Sequence, residues 1–329
     1  MNLRIIFIVF ILFITITNCV PERDNPYDLS SPNKPISTIY GKITKKNGIS
    51  LNNCHITLSF LKVTEFITTS SDSNGNYLLQ YYYKMTYGDS AVLYIYKDGF
   101  ETSEKKIFID LNRNDTINFT LDALPQFSAE SVTSYHEAAL YPQEIYKANF
   151  SVKVYDSDGI SDIDTVFITI PALNFKIPMD YYPNNIYKKT ISSEILPDSN
   201  LEILIGQECY FEVYNQNNFI KRSKAMYLTR IINEIPQPIY PYGDTVSQPI
   251  NFVWDQAILN FPYNYFLEIF LLPNNYVPQL IYQKDNILSS DSNYVLPVSL
   301  EKGRYLWQIG LKDNFNNISK SYQTLFYIE

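Results

Sequence analysis

Glycine and cysteine are scarce in this chain, with ten Gly and three Cys among 329 residues, and histidine is scarcer still at two. Each shortage excludes something. Three cysteines do not make a disulfide framework. Two histidines, His55 and His136, cannot supply the clustered His and Cys ligands of a zinc site. There is no Gly-rich phosphate loop and no Gly-x-Ser-x-Gly nucleophile elbow. No long stretch carries the i, i+3, i+4, i+7 stripe of an amphipathic helix. Lys and Arg number 26 against 34 Asp and Glu, a net charge of −8. Acids and bases are interspersed without a basic patch, which disfavours nucleic acid. What is abundant is tyrosine (29) and phenylalanine (20), beside many Ile, Thr and Val. These residues suit a pleated, half-buried surface, so the composition reads as all-β.

Nucleophilic catalysis needs a base within hydrogen-bond reach of its nucleophile. His55 follows Cys54 directly, but successive strand residues point to opposite faces, so the two do not form a dyad. His136 falls in a different predicted module. The expectation is a protein without catalytic residues or a cofactor; unseen carboxylate pairs are the one enzymatic route left open.

The first nineteen residues have three parts: Arg4, an apolar run from Ile5 to Ile16, and the polar Thr17-Asn18-Cys19. The run is shorter than the ~20 residues a spanning helix needs, and no basic stop signal follows, which favours a signal peptide over residues 1–18. Ile16-Thr17-Asn18-Cys19 resembles a bacterial lipobox, although Asn18 stands where that family prefers Gly, Ala or Ser. The resemblance implies that Cys19 becomes the acylated first mature residue of a lipoprotein, exported and anchored to the cell envelope at the outer membrane or cell surface. A plain signal peptide or an uncleaved anchor is the alternative. Residues 19–36, with four prolines and no apolar periodicity, read as a tether reaching at most about 60 Å when extended.

Beyond the tether the sequence divides into three β-sandwich modules near the ~100 residues typical of such folds. In residues 37–122, Tyr40-Gly41-Lys42-Ile43-Thr44 reads as a strand. Cys54, Ile56 and Leu58 alternate with His55, Thr57 and Ser59. Asp72-Ser73-Asn74-Gly75-Asn76-Tyr77 carries the strongest local hairpin signal, and Lys97-Asp98-Gly99-Phe100 is a second turn. In their order these marks resemble a carboxypeptidase regulatory-like domain, a transthyretin-like sandwich, which implies a fold and no activity. Residues 123–234 contain the alternating strand Phe150 to Tyr155, strands at Thr165–Ile170 and Tyr210–Tyr214, an Asn-rich turn, and an expected last strand near Met226–Ile231. They resemble bacterial Ig-like modules. Residues 235–329 open with Pro236, Pro238 and Pro241, alternate Ile250, Phe252 and Trp254, and close with Tyr305-x-Trp307 and an expected hairpin into Tyr322–Ile328. They look fibronectin type III-like. A faint repeat links Tyr210–Lys224 with Tyr305–Lys320, each reading strand, Asn-rich turn, strand.

Two groups of residues could carry binding. Asp156, Asp158, Asp162 and Asp164 flank Gly159 and offer the alternating oxygens of a structural calcium site. Asp-x-Asp-Gly is also ordinary turn chemistry, and the EF-hand pattern with its closing Glu is not met. Tyr81-Tyr82-Tyr83, with Tyr87, and Tyr181-Tyr182, with Tyr187, could form platforms for sugar rings or peptides, or could simply pack. Together these features predict a non-enzymatic, membrane-anchored envelope lipoprotein acting as a structural or protein-binding module. The alternative is a carbohydrate-binding lipoprotein of a glycan uptake or degradation system.

Overall fold

The computed structural model describes residues 36–139, 144–216, 219–274 and 277–329. The predicted signal peptide, Cys19 and nearly all of the tether lie outside the described residues. The protein is all-β: the described residues form strands joined by turns and short 3₁₀ segments. The chain divides into two compact units, residues 1–124 and 125–329.

In the first unit two four-stranded sheets enclose one core. One sheet centres on Ile36–Lys45, paired antiparallel with Asn76–Tyr82 and parallel with Asn114–Thr116 and Phe119–Leu121. The other runs in the order Phe66–Ser70, His55–Phe60, Ser90–Tyr96, Ser103–Phe108. Period-two alternation sends Ile39, Ile43, Tyr77, Leu79 and Tyr81 inward from the first sheet, and Ile56, Leu58, Leu93 and Ile95 from the second. The Asn74-Gly75 turn forms as expected. Asp72 Oδ1 accepts from the Asn74 and Asn76 N–H groups at 2.9 and 2.8 Å, and Gly75 takes φ 78°. Gly41 is there for space: a Cβ would stand 1.8 Å from the Ile117 carbonyl oxygen.

The second unit contains two hydrophobic cores. One gathers Phe150, Val152, Val166, Ile168, Phe211 and Val213; the other gathers Phe252, Trp254, Tyr265, Trp307, Ile309 and Phe326. Both tryptophans are buried, and Trp307 Nε1 donates to the Pro241 carbonyl at 2.7 Å. A small sheet covers each core on one side. These are Phe175–Pro178, Ile163–Ile170, Tyr210–Asn215, Ile220–Arg222 for the first, and Pro238–Tyr240, Asn251–Trp254, Asn293–Val295 for the second. On the other side a single ten-stranded sheet serves both. Its main path runs Asp180–Tyr182, Ile186–Ser192, Glu144–Tyr155, Gln126–Ala138, Ile318–Lys320, Gly303–Asp313, Tyr263–Leu271, Gln279–Leu288.

The link between the two halves of this sheet departs from the sequence expectation. The sequence expectation is a hairpin that turns through Lys312–Asn317 and ends in Tyr322–Ile328. Instead the chain makes the short strand Ile318–Lys320, which pairs antiparallel with Gly310–Lys312 and parallel with Tyr135–Glu137 of the preceding sandwich. It then breaks, and Thr324–Ile328 returns to Gly303–Trp307. The strand expected at Met226–Ile231 is reduced to two isolated bridges, Cys209 with Met226 and Ile205 with Leu228. From there to Gln237 the chain forms no strand, although the Ile232, Glu234 and Gln237 carbonyls are each hydrogen-bonded from elsewhere.

Candidate functional site

The three consecutive tyrosines do not form one platform. Tyr81 is 3% exposed and belongs to the core, which corrects its assignment as a ligand-binding residue. Alternation along Asn76–Tyr82 is the reason: only every second side chain reaches solvent. Tyr83 is half-buried against the core and donates to the Gly88 carbonyl at 3.1 Å, while Tyr87 stacks on Phe60 with centroids 3.7 Å apart. Tyr82 does face solvent, at 48% exposure. It sits across from Ile36, and beyond the Thr38–Gln80 pair on the same face Leu78 sits across from Tyr40; Tyr82, Ile36, Leu78 and Tyr40 are all exposed. Sequence reasoning passed over Tyr40, although the inward phase of Ile39 and Ile43 places it on the outer face.

Tyr181 and Tyr182 lie on a three-residue edge strand, both exposed. Tyr181 meets Tyr187 edge-on at 5.4 Å, whereas Tyr182 lies under the Lys188 ammonium at 5.2 Å. Neighbours on one strand face opposite ways, so these two rings are not a single surface either.

In the aspartate loop, Asp156 Oδ1 accepts from the Asp158 N–H at 2.7 Å, and the Gly159 N–H closes the turn on the Asp156 carbonyl at 3.2 Å. Asp164 is exposed and accepts from its neighbour Thr165 Oγ1 at 3.0 Å. Turn chemistry therefore occupies Asp156 and Asp164. Asp158 and Asp162 bring carboxylate oxygens within 4.8 Å of each other. The loop thus brings two of the four predicted ligands together, and the other two have local work.

The site that sequence reasoning missed is a cleft in the second unit with a volume of about 380 Å³. One wall is Tyr146, on the strand Glu144–Tyr155. A second is the run Asp198, Ser199, Asn200, Leu201 and Glu202, in consecutive 3₁₀ turns. Ile231 and Asn233 close it from the segment that leads into the strand Pro238–Tyr240. These turns hold an unusual backbone: Asp198 and Ser199 take φ of 55° and 50°. Asn200 caps the next turn, its Oδ1 accepting from the Glu202 N–H at 2.8 Å.

Behind the Tyr146 wall stands His136, fully buried. Its imidazole stacks on the phenol ring with centroids 4.1 Å apart and planes 8° from parallel. Nδ1 is 2.9 Å from the Ile232 carbonyl and 3.4 Å from Ser319 Oγ, which itself donates to the Glu234 carbonyl at 2.7 Å. His136 thus ties together the strand Gln126–Ala138, the crossing segment and the strand Ile318–Lys320. Nε2 lies 3.8 Å from Glu144 Oε2, the oxygen that accepts from the Tyr146 hydroxyl at 2.8 Å. Burial pushes the imidazole below its ordinary range, against the raising influence of the Ile232 carbonyl and Glu144. The Tyr146 phenol is pushed up to about 12, by desolvation first and then by Glu144 and Glu202. No short-range pattern marks these residues in the sequence, because they come from stretches far apart along the chain.

The remaining reactive side chains sit in structural roles. His55 is on an outer sheet face against Tyr96, with centroids 6.4 Å apart. Cys54 and Cys209 are both buried, and desolvation raises the Cys209 thiol to about 11, far from a reactive thiolate.

No protein-family model matches this chain, and no curated protein matches it. Solved structures do. The major pilin subunit of Bacillus cereus is similar at 10% identity over 88% of this chain and 93% of its own, with a TM-score of 0.32. The FN1–FN3 domains of chicken CNTN1 are similar at 10% identity over 84% and 95%, with a TM-score of 0.33. A DUF3823 family protein from Bacteroides ovatus is similar at 11% identity over 59% and 98%, with a TM-score of 0.26. Likenesses at this level say nothing of what the chain binds.

Proposed function

We propose that this protein is a non-catalytic envelope lipoprotein, acylated at Cys19, whose sandwiches act as a structural and protein-binding module held off the membrane by the tether. Its first unit is of the carboxypeptidase regulatory-like type, and its second joins an Ig-like to a fibronectin type III-like sandwich. The observation that carries the reading is the shared sheet. The pairing of Ile318–Lys320 with Tyr135–Glu137 makes two sandwiches one continuous body, the construction of a stiff presenting element rather than of a closing enzyme cleft. Supporting it, Cys54, Cys209 and His136 are each fully buried within their own units. The test is metabolic labelling with an alkyne-tagged palmitate followed by membrane fractionation. Wild-type protein is expected to take up label and sediment with membranes, and Cys19→Ala to do neither. Unlabelled wild-type protein in the soluble fraction would sink the anchor and with it the function.

A second reading, glycan binding on the first unit, is favoured by one specific observation. Tyr40, Leu78 and Tyr82 share an exposed sheet face with Ile36, an apolar and aromatic surface with polar Thr38 and Gln80 between. Tyrosines on such a face offer a flat body for stacking and a hydroxyl for hydrogen bonding.

A further inference from the structure

The cleft beside the junction in the second unit has the size of a small-molecule site; its volume of about 380 Å³ falls in the lower part of the usual range. Its lining decides what class of molecule suits it. Tyr146 and Ile231 offer apolar surface, with the core residue Leu201 beneath them at 2% exposure. Asp198 and Glu202 accept hydrogen bonds, and Asn200 and Asn233 bring amide groups that both donate and accept. Because the Asn200 oxygen already accepts from the Glu202 N–H, its contribution to a ligand is the amide NH₂.

Three classes fail against this set. A phosphate or carboxylate ligand would meet two carboxylates and no Lys or Arg in the lining. An apolar ligand would strip water from several polar groups and return no hydrogen bonds. A flat aromatic ligand would use the tyrosine but leave the acids and amides idle. A sugar ring uses both halves, since it has a face of C–H groups and a rim of hydroxyls that donate and accept. We propose that this cleft binds a neutral saccharide. One ring lies against Tyr146, its hydroxyls donating to Asp198 and Glu202 and accepting from the amides of Asn200 and Asn233.

The wall is built to hold still. His136 covers one face of the Tyr146 ring at 4.1 Å, so a ligand meets the other face or the edge. The phenol hydroxyl is fixed on Glu144 at 2.8 Å. A ring clamped in this way loses little freedom on binding, which favours affinity. The cleft also spans the segment whose Ile232 carbonyl His136 holds, so a bound sugar stiffens the junction between the two cores.

This inference rests on the reading of the chain as a non-catalytic binding protein, but on a different surface from Tyr82. The test uses the full-length protein in detergent. It combines a glycan array with calorimetric titration of glucose, galactose, mannose, N-acetylglucosamine and their disaccharides, with spermidine as a cationic control. Saccharide binding is expected, at least tenfold weaker in Tyr146→Ala and in Asn233→Ala, largely kept in Tyr146→Phe, and unchanged in Tyr82→Ala. The Tyr146→Phe variant retains the ring against His136 and so separates lost binding from lost folding. Binding that survives Tyr146→Ala and Asn233→Ala but disappears in Tyr82→Ala overturns the cleft and moves glycan recognition to the first unit. Binding of spermidine without any saccharide overturns the ligand class. No binding of either overturns the proposal while leaving acylation at Cys19, tested separately, untouched.

Discussion

At the scale of single residues, close approach and alternation account for most of what the first unit does. Gly41 lies where the strand Ile36–Lys45 passes the Ile117 carbonyl, and a methyl group there would collide with that oxygen at 1.8 Å. Gly41→Ala is therefore expected to destabilise the first unit by about 1–3 kcal/mol, as overpacking does, read as a lower urea midpoint with unchanged slope. The same strand shows how far sequence carries. Alternation made the burial of Cys54, Ile56 and Leu58 legible, and it sends Tyr81 inward while Tyr82 stays out. A run of three tyrosines reads as a cluster only while the strand's phase is ignored. The aspartate loop was legible as chemistry but not as a choice between chemistries, since a turn and a calcium site use the same residue types. With Asp156 capping the Asp158 N–H and Asp164 bound to Thr165, turn chemistry takes two of the four ligands. Millimolar Ca²⁺ is accordingly expected to leave the melting midpoint unchanged; an upward shift abolished by Asp162→Asn would restore the calcium site.

At the scale of elements, the strand Ile318–Lys320 matters more than its length suggests. Three residues with two polar side chains look from sequence like the far arm of a hairpin. Only the position of a strand more than 180 residues earlier makes them a bridge. Asn317, just before it, fixes the geometry. Fully buried, it accepts from the Ser134 N–H at 2.9 Å and donates to Thr229 Oγ1 and Asp313 Oδ2, both at 3.0 Å. Arg230 adds an ion pair to Asp313 at 3.3 Å. Asn317→Ala would leave the Ser134 N–H without its acceptor inside the protein, at roughly 1–3 kcal/mol for a stranded buried donor. Differential scanning calorimetry of wild-type protein is expected to show the second unit melting as one transition, and Asn317→Ala to split it into two. A single, merely lowered transition would mean that the two cores are coupled by other contacts. The cleft was illegible for the same reason as this bridge. Tyr146, Asp198–Glu202 and Asn233 meet only because the sheet brings their elements together.

At the scale of the whole molecule, the stiffness of the second unit becomes a function of pH, because a buried histidine stands at its junction. The groups facing His136 are the Tyr146 ring, the Glu144 carboxylate, the Ser319 hydroxyl and the Ile232 carbonyl. Burial dominates over Glu144 and lowers the imidazole's affinity for a proton in the folded state. Above the ordinary imidazole value of about 6.5 the ring is neutral folded and unfolded, and its contribution to stability is complete. As pH falls through that value, the unfolded chain takes up a proton that the folded chain resists, so stability declines. The decline ends once pH drops below the depressed folded value, where both states carry the proton. Melting midpoints of wild-type protein are therefore expected to fall as pH goes from 7.5 to 5.5, and those of His136→Gln to stay nearly level. The range lies above most carboxylate titrations, which keeps the comparison on the histidine. If both proteins follow the same slope, the acid sensitivity arises elsewhere and the junction is not its origin. If the wild-type slope is the steeper, mild acid loosens the contact that backs the Tyr146 wall, and saccharide affinity is expected to weaken over the same interval.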